Sequence, residues 1–326
     1  MADEHENLQR AILRIPPGRW GLAVSGGSDS MALLHLVGAQ RGGDIHAIHL
    51  DHQTRGGQST RDAEFVRDIC AHLHIPLTLS ERSALEPLAG DLPANTQARF
   101  RELRLALYRQ AVADHGLQGV LQAHHADDQA ETILMRLIRG TGIEGLGGIP
   151  ADSSIGVLRI LRPLLKMRKA DLLAYLRQNQ LDWREDASNL SPKYHRNQVR
   201  QLLGRHAALV PALLEVQECF SALLAELDAL SPALGDRVPL AALAKLHPLV
   251  QLHVLRRWAI AHGACASDLT LELIQRARLL FEDMASGPSV SLPGGIEMRR
   301  QGGALFTRRS APVARRCNAE GRADPS

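Results

Sequence analysis

Two features are scarce in this sequence of 326 residues: paired cysteines and long apolar runs. The four cysteines form no CxxC pair, which disfavours a zinc ribbon, a cysteine-ligated cluster or a disulfide scaffold and is typical of thiols in a reducing cytoplasm. No apolar run approaches the ~20 residues of a membrane span. The first residues, MADEHENLQR, begin acidic and lack the basic and apolar stretches of a signal peptide. We therefore expect a cytoplasmic protein with no membrane partner.

Charge is balanced overall but not along the chain. The formal net charge is only +3 at pH 7, yet the segment 159–205 holds 11 Lys and Arg against 4 Asp and Glu. A local excess of 7 positive charges indicates either a polyanionic partner or a solvated helical face.

The first 140 residues alternate short apolar runs with longer amphipathic ones. The apolar runs predict buried strands at 21–25, 46–51, 75–80 and 119–124, and the segments between and after them predict helices at 29–39, 60–73, 95–114 and 127–139. Strands that alternate with helices in this way indicate a parallel sheet covered on both faces. Ligands collect at the carboxyl ends of such strands, where Ser25, Asp51 and His124 stand.

The remainder of the chain differs in pattern. Residues 140–157 are glycine-rich and predict a loop, mobile enough to serve as a lid. From 206 the sequence is rich in alanine and leucine with a helical period, and 289–309 predicts a hairpin of two extended runs. We therefore predict three parts: an α/β domain over 1–205, a smaller, mainly helical domain over 206–310, and a disordered tail over 311–326.

The stretch LAVSGGSDSMALLHL places small polar residues between a predicted strand and a predicted helix. Backbone N–H groups at a helix start bind anions, and glycines let phosphate oxygens approach the main chain. The loop has neither the lysine of GxxxxGK[ST] nor the spacing of GxGxxG. An aspartate beside phosphates requires a cation, so Asp29 indicates Mg²⁺ bound with ATP and cleavage between the α- and β-phosphates.

This loop, SGGSDS, resembles the pyrophosphate loop of the ATP-pyrophosphatase (PP-loop) group, whose members adenylate an oxygen and then let a nucleophile displace AMP. Further motifs resemble the tRNA(Ile)-lysidine synthases: HLDHQTR, NTQARFRELR, AHHADDQAETILMRLIRGTG, RPLL and DASNLSPKYHRNQVR, which lie in family order over residues 49–200. LPGG and GGALF near the end resemble the family's substrate-binding domain. The sequence departs from the family at Gln53-Thr54, where Gly-Leu is usual, and at Leu105, where an aromatic is common.

The resemblance implies a parallel-sheet PP-loop domain (adenine nucleotide alpha hydrolase-like), followed by the smaller helical domain. It implies an ATP-dependent ligase that adenylates the C2 oxygen of the wobble cytidine of a CAU-anticodon tRNA(Ile). The ε-amine of L-lysine then attacks C2, which forms lysidine and changes codon reading from AUG to AUA. ATP and Mg²⁺ are the implied cofactors, and a homodimer is compatible with the sequence.

The resemblance also implies roles for particular residues. ATP binding falls to the loop, three strand ends and one arginine: Ser25, Gly26, Gly27, Ser28, Asp29, Ser30, His49, Asp51, His124 and Arg139. Asp29 is the implied ligand of ATP-bound Mg²⁺, and catalysis is assigned to Asp29, Asp128 and Arg104. The tRNA contacts are assigned to Arg101, Lys193, Tyr194, Arg196 and Arg200. For Arg139, stabilisation of a helix end by its positive charge explains the residue equally well.

Lysine binding is assigned to Asp128, Glu131 and Arg104. The two carboxylates are three residues apart and share a helix face just beyond a strand end, where they suit an incoming ammonium. An ordinary ion pair with Arg136 is the alternative. Arg104 lies three residues after Arg101, a spacing that fits phosphate contacts or a solvated surface helix.

Two other classes of function compete with this interpretation. A tRNA thiolase of the same PP-loop group would bring paired or cluster-binding cysteines, which are not arranged here. A non-catalytic, ATP-sensing RNA-binding module would have no need of three carboxylates beside phosphates, and it would favour a degenerate loop. The intact SGGSDS loop disfavours this module.

Overall fold

The structure is a computed structural model that describes residues 2–54, 58–90, 92–185, 195–265, 268–282 and 289–309. The chain divides into two compact units. The first unit comprises Met1–Ile138 and Gly147–Gln217, and the second comprises Arg139–Leu146 and Glu218–Ser326. The sequence placed the division at 205/206, whereas the structure places it inside a long helix and assigns a short earlier segment to the second unit. The predicted tail at 311–326 lies outside the described residues.

The two units together contain the following helices and strands, which alternate through the first unit. The helices in chain order are α1 (Ala2–Leu13), α2 (Ser28–Arg41), α3 (Gln58–His72), α4 (Arg82–Leu85), α5 (Thr96–His115), α6 (Ala126–Arg139), α7 (Ile143–Leu146), α8 (Lys169–Gln178), α9 (His195–Arg205), α10 (Leu209–Ala229), α11 (Leu240–Leu243), α12 (Pro248–Ala261) and α13 (Leu271–Glu282). The strands in chain order are β1 (Trp20–Ala23), β2 (Ile45–Asp51), β3 (Leu77–Glu81), β4 (Val120–Leu121), β5 (Asp152–Ile155), β6 (Leu158–Leu161), β7 (Arg237–Pro239), β8 (Ser289–Leu292), β9 (Ile296–Gln301) and β10 (Ala304–Arg309).

The sheet of the first unit has the strand order β3-β2-β1-β4-β6-β5. All neighbours are parallel except β5 and β6. The predicted parallel-sheet α/β fold is therefore confirmed. Because the chain moves from β1 to β2 on one side and returns to β4 on the other, the order reverses between β1 and β4. The crevice beyond the carboxyl ends of these two strands is the expected ligand site.

Apolar clusters cover both faces of this sheet. On one face, Leu8 and Ile12 of α1 pack with the buried faces of α2 and α8. On the other, Leu103 and Leu107 of α5 pack with β2, β4 and β6. Helix α1 was not predicted, because its apolar stripe is short and the polar residues before it obscure the four-residue spacing of Leu8 and Ile12.

The prediction of a loop over 140–157 is wrong for two parts of the segment. Helix α7 and the edge strand β5 both lie in it, and β5 pairs antiparallel with β6. The sequence of β5, DSSI, contains few residues that favour strands, and its side chains are exposed or half-buried. Its pairing therefore comes from the neighbouring strand and not from its own propensity. The predicted strand 119–124 is reduced to two residues, although Gln122 N still donates to the Leu161 carbonyl at 2.8 Å.

The second unit combines helices with a four-stranded antiparallel sheet in the order β7-β10-β9-β8. The predicted hairpin is present as β8 and β9, turning through Gly294 and Gly295 at φ +91° and +71°, and β10 and β7 extend it. Its core gathers Val238, Trp258 and Met298. Within the described ranges, no single helix is both long and apolar enough to cross a membrane; α9 and α10 meet that test only when counted together.

Helix α7 belongs to the second unit through packing and charge. Ile143 packs against the unit's apolar core. Glu144 Oε1 lies 3.7 Å from Nδ1 of the buried His253, whose Nε2 is 2.7 Å from Asp228 Oδ1. The nearby carboxylate of Glu144 raises the pKa of His253 against the effect of burial, and Asp228 raises it further. His253 therefore links the start of the glycine-rich segment to α10.

A stacked histidine pair at the amino ends of the strands makes the first unit sensitive to acid. His46 of β2 is 5% exposed, its ring lies 3.9 Å from that of His115, and its Nε2 is 2.7 Å from Thr78 Oγ1. Burial, then His115 and Arg19, lowers the pKa of His46 to about 4.

We expect this pair to cost stability as the pH falls. The folded-state pKa lies below the unfolded value of ~6.5, so the unfolded chain binds more protons between those values. The stabilising difference is fully present above pH 6.5 and is lost as the pH falls towards 4. Urea unfolding gives the free energy of unfolding at pH 7 and at pH 4.5. Between these pH values it should fall by about 1–3 kcal/mol less in His46→Gln than in the parent. Equal losses in both proteins would contradict the assignment.

Candidate active site

Hydrogen bonds of a serine hydroxyl hold the loop between β1 and α2 in shape, and the loop itself contains no lysine. Ser25 N donates to Ser30 Oγ at 3.1 Å, and Ser30 Oγ donates to the Gly27 carbonyl at 3.0 Å. Gly26 has φ +88°, a positive value that residues other than glycine rarely adopt. Helix α2 begins at Ser28, so its first N–H groups have no intrahelical partners and can receive an anion. The predicted anion cradle thus has the required backbone.

Asp29 lies in the first turn of α2 and is surrounded by positive charge. Lys169 Nζ, at the start of α8, is 3.2 Å from both of its carboxylate oxygens. His125 Nε2 is 3.6 Å from Asp29 Oδ2. Burial raises the pKa of Asp29, but His125 and Lys169 together lower it to about 2. The loop lacks a lysine in sequence, yet the fold supplies one from 140 residues away.

Lys169 and His125 were not predicted as site residues. Asp127 fixes the start of α8, because it accepts hydrogen bonds from Arg168 Nη2 and from the backbone N of Lys169, both at 2.8 Å. The signal available in sequence was the acid-rich AHHADDQAET motif, together with the basic KMRKAD stretch that follows RPLL. The contact between the two could not be inferred from spacing alone.

His125 connects the loop to the carboxylates of α6. It is 2% exposed, and its Nε2 lies 3.6 Å from Asp29 Oδ2 and 3.5 Å from Asp128 Oδ2. Burial lowers the pKa of His125, but the hydrogen bond to Asp29 and the charges of Asp128 and Asp29 raise it overall. The phosphate loop and the predicted lysine-binding pair are therefore parts of one electrostatic cluster.

Asp128 and Glu131 occupy one buried face of α6, as predicted, with exposures of 8% and 3%. Asp128 Oδ2 accepts from the backbone N of His125 at 3.0 Å, in the manner of a carboxylate that caps a helix start. Arg196, on α9, reaches both acids: Nη2 is 2.7 Å from Asp128 Oδ1, and Nε is 2.7 Å from Glu131 Oε2. Arg200 Nε donates to Glu131 Oε1 at 2.7 Å.

Two residues predicted to bind tRNA, Arg196 and Arg200, therefore hold two of the three residues predicted to bind lysine, Asp128 and Glu131. Arg196 and Arg200 are each 41% exposed at the side chain, whereas the acids are buried. Arg136, the partner considered as an alternative, donates to the Gly148 carbonyl at 2.9 Å. The acids thus face two guanidinium groups from α9, which an incoming ammonium would join or displace.

We expect loss of one guanidinium to destabilise the first unit. Arg200→Met removes the hydrogen bonds to a carboxylate that is 3% exposed and leaves that carboxylate with Arg196 alone. Because the arginine itself is partly exposed, the cost should be about 1–3 kcal/mol, below that of a fully buried pair. Chemical denaturation measures it, and Arg205→Met, an exposed position at the end of the same helix, is the control. Equal free energies of unfolding for the two variants would show that the ion pair adds nothing.

The three other predicted ATP-binding residues at strand ends have different surroundings. His49 Nδ1 is 2.8 Å from the Val24 carbonyl, and its Nε2 is buried without a hydrogen-bond partner in the described structure. His124 Nδ1 is likewise buried without one. Asp51 is already engaged, by Gln53 N at 2.7 Å and Thr60 Oγ1 at 3.1 Å, in shaping the turn after β2. The two histidines offer unused polar atoms to a ligand, and Asp51 does not.

The remaining predicted residues are more dispersed. Arg101 and Arg104 lie exposed on α5, and Arg104 is close enough to His52 to lower the pKa of that histidine. Arg139 ends α6 and belongs to the second unit. Lys193 and Tyr194 lie outside the described residues.

Comparison with known proteins agrees with this fold. A model described as a PP-loop domain matches residues 2–207, and one described as a TilS substrate binding domain matches residues 239–306. A solved structure, the U34-tRNA thiolase NcsA from Methanococcus maripaludis, has a TM-score of 0.56 at 15% identity, covering 68% of this chain and 80% of that one, which supports the fold. Fold and loop together define a PP-loop protein.

The sequence relatives narrow this class. A tRNA(Ile)-lysidine synthase from Polaromonas naphthalenivorans is 34% identical over 302 residues, 85% of this chain and 88% of that protein. One from Symbiobacterium thermophilum is 41% identical over 206 residues, 61% of this chain and 40% of that protein. The chain belongs to the tRNA(Ile)-lysidine synthase family. It spans only 37–43% of the length of several curated relatives that it matches.

Proposed function

We propose that the protein ligates L-lysine to C2 of the wobble cytidine of a CAU-anticodon tRNA(Ile), with ATP as the activating substrate. The observation that carries this proposal is the position of His125, within 3.6 Å of both Asp29 at the phosphate loop and Asp128 of the carboxylate pair. A site that only hydrolysed ATP would not need a second, buried anionic subsite adjoining the first.

The first step activates a poor electrophile. The cytidine C2 oxygen attacks the α-phosphorus of ATP, the bond between the α- and β-phosphates breaks, and pyrophosphate leaves. The N–H groups at the start of α2 would receive the phosphate oxygens, and Lys169 and His125 add positive charge beside them. This arrangement stabilises negative charge on the departing pyrophosphate, which is the largest demand of the step.

Magnesium fits this site only together with the nucleotide. Asp29 provides carboxylate oxygens at the loop, but among the described residues no group of three or more His, Cys, Asp or Glu is placed to hold a metal. Mg²⁺ prefers oxygen ligands and binds through one or two carboxylates plus phosphates. Asp29 would therefore hold Mg²⁺ through ATP, where the ion neutralises phosphate charge.

The second step needs a neutral amine. The lysine ε-ammonium would dock against Asp128 and Glu131, lose a proton, and attack C2, and AMP would leave with the former C2 oxygen. Asp128 is suited to hold or accept that proton because it lies on the side of the pair next to His125. Arg196 and Arg200 already neutralise the two acids, so lysine binding requires these guanidinium groups to move or share.

We place tRNA contacts on Arg101 and on the basic segment that leads into α9.

The thiolase alternative is not favoured by the thiols: Cys70 is buried, and burial raises its pKa to about 11, far from a reactive thiolate. In the described chain, Cys219 and Cys265 are exposed and form no disulfide.

The experiment combines purified protein, Mg-ATP, labelled lysine and an unmodified CAU-anticodon tRNA(Ile) transcript. We expect label in this RNA, with AMP and pyrophosphate released in equal amounts. Methionine tRNA, and the same tRNA(Ile) with uridine at the wobble position, are the controls and should remain unlabelled. AMP release that depends on tRNA but not on lysine would retain the adenylation step and remove lysine as the nucleophile.

A further inference from the structure

Two rings stack at the crevice end of the sheet, outside the groups assigned above to ATP and lysine. His52 follows β2 directly, and its ring centroid lies 4.4 Å from that of Phe100 near the start of α5, at an interplanar angle of 33°. Both side chains are half-buried, so the pair is neither core nor free surface. Phe100 contributes to the apolar cluster beneath α5, which fixes the position of the ring.

One ring nitrogen of this pair has no hydrogen-bond partner in the described structure. It is the Nδ1 of His52, which is buried. Burial, then the neighbouring Arg104 and His49, lowers the pKa of His52 to about 4, so the ring is neutral at pH 7. A neutral imidazole can donate or accept one further hydrogen bond, which suits the edge of a nucleobase and not a phosphate.

Positive charge flanks the rings. Arg104 lies four residues after Phe100 on α5 and therefore on the same helix face. Arg101 directly follows Phe100 in the sequence of this helix. Both arginines are exposed, and neither makes an ion pair within the described structure. The phosphates of ATP are already provided for by the loop, so a second cationic set on another helix indicates a second source of phosphate.

From this juxtaposition we infer that the His52–Phe100 ring pair receives a nucleobase of the RNA, the target cytosine, while Arg101 and Arg104 hold its flanking phosphates. This inference moves Arg104 from the lysine and catalytic roles that the resemblance implies to an RNA contact. The inference rests on the proposed function, because it names the subsite for the RNA substrate. Rings that stack on an unpaired base beside arginines are the usual means of holding single-stranded RNA.

The chain contains a matched control for this subsite. His46 lies at the opposite end of the same strand and also stacks on a second ring, that of His115, with a pKa likewise lowered to about 4. Its Nε2, however, is already bonded to Thr78. Changes at His46 should therefore alter stability without altering RNA binding.

The test uses an anticodon stem–loop RNA that carries the fluorescent base pyrrolocytosine at the wobble position. We expect the wild-type full chain to quench the fluorescence on binding. Phe100→Leu, which keeps the apolar contact but removes the ring, should abolish the quench and weaken binding about 5- to 100-fold. Phe100→Tyr should restore both, and His52→Asn gives a second variant at a partly exposed site. His46→Gln should bind and quench as the wild type does.

Each other outcome overturns the inference. Unchanged quenching by Phe100→Leu and His52→Asn would show that the base lies elsewhere, as would equal quenching with the analogue one nucleotide away. If these variants weaken binding of a fluorescent ATP analogue but not of the RNA, the rings hold adenine instead. Failure of the proposed function is distinguishable: wild-type protein would then make no lysidine, whatever the quench shows.

Discussion

Asp128→Asn is expected to lower the rate of lysine transfer about 100- to 10,000-fold, the usual contribution of a positioned acid or base. Asparagine keeps an oxygen that can accept from the His125 backbone N, so the start of α6 is preserved. It removes the charge that faces Arg196 and His125. Lysine would lose both an anionic partner and the group that holds its proton.

The measurement separates the two steps. In single-turnover assays with labelled lysine, Asp128→Asn should fail in product formation, while the burst of pyrophosphate release on mixing with ATP and tRNA is reduced far less. Asp114→Asn, an exposed acid on α5, should match the parent. Full activity in Asp128→Asn would remove Asp128 from the site. Equal loss of both steps would place it with the phosphates and not with lysine.

Asp29→Asn is expected to have the second large effect, and on the earlier step. The substitution keeps the shape of the first turn of α2 but removes the charge that pairs with Lys169 and would hold Mg²⁺. Pyrophosphate release should fall about 100-fold or more, with lysine transfer falling in parallel, and the Mg²⁺ concentration for half-maximal rate should rise.

The lowered pKa of Asp29 fixes the direction in which its contribution to stability changes with pH. The pKa of Asp29 is about 2 in the folded protein, below its ordinary value, so the carboxylate is charged throughout the physiological range. Its contribution to stability is present above pH 4 and is lost only as the pH falls through 2. Rate profiles between pH 6 and 9 should therefore show no titration of Asp29. Asp44→Asn, an exposed control, should leave the Mg²⁺ dependence unchanged; the same shift in both variants would contradict the assignment.

The sequence predicted those parts of the fold that depend on local pattern. The four parallel strands and the helices between them follow from apolar periodicity and turn residues, as does the loop that opens α2. Strand β5 was missed because its DSSI sequence has little strand propensity and is held in the sheet by its pairing with β6. Helix α1 was missed because a single i, i+4 pair is a weak signal within a polar stretch.

In the candidate site, too, the features that depend on local sequence could be predicted and those that depend on tertiary packing could not. The shared face of Asp128 and Glu131 could be predicted because a three-residue spacing after a strand end is visible in sequence. Lys169, which faces Asp29 across 140 residues, was not, because only the packing of α8 near α2 brings them together. The pairing of Arg196 and Arg200 with the buried acids was also invisible, since sequence shows a basic segment but not what neutralises it.

The most direct test of the account follows the C2 oxygen. A CAU-anticodon tRNA(Ile) transcript with ¹⁸O at C2 of the wobble cytidine is incubated with the protein, Mg-ATP and lysine, and the AMP is analysed by mass spectrometry. Adenylation at that oxygen predicts one ¹⁸O atom in each AMP released with a lysidine. AMP without ¹⁸O would mean that water or another group attacked the α-phosphate, and would contradict the proposed chemistry.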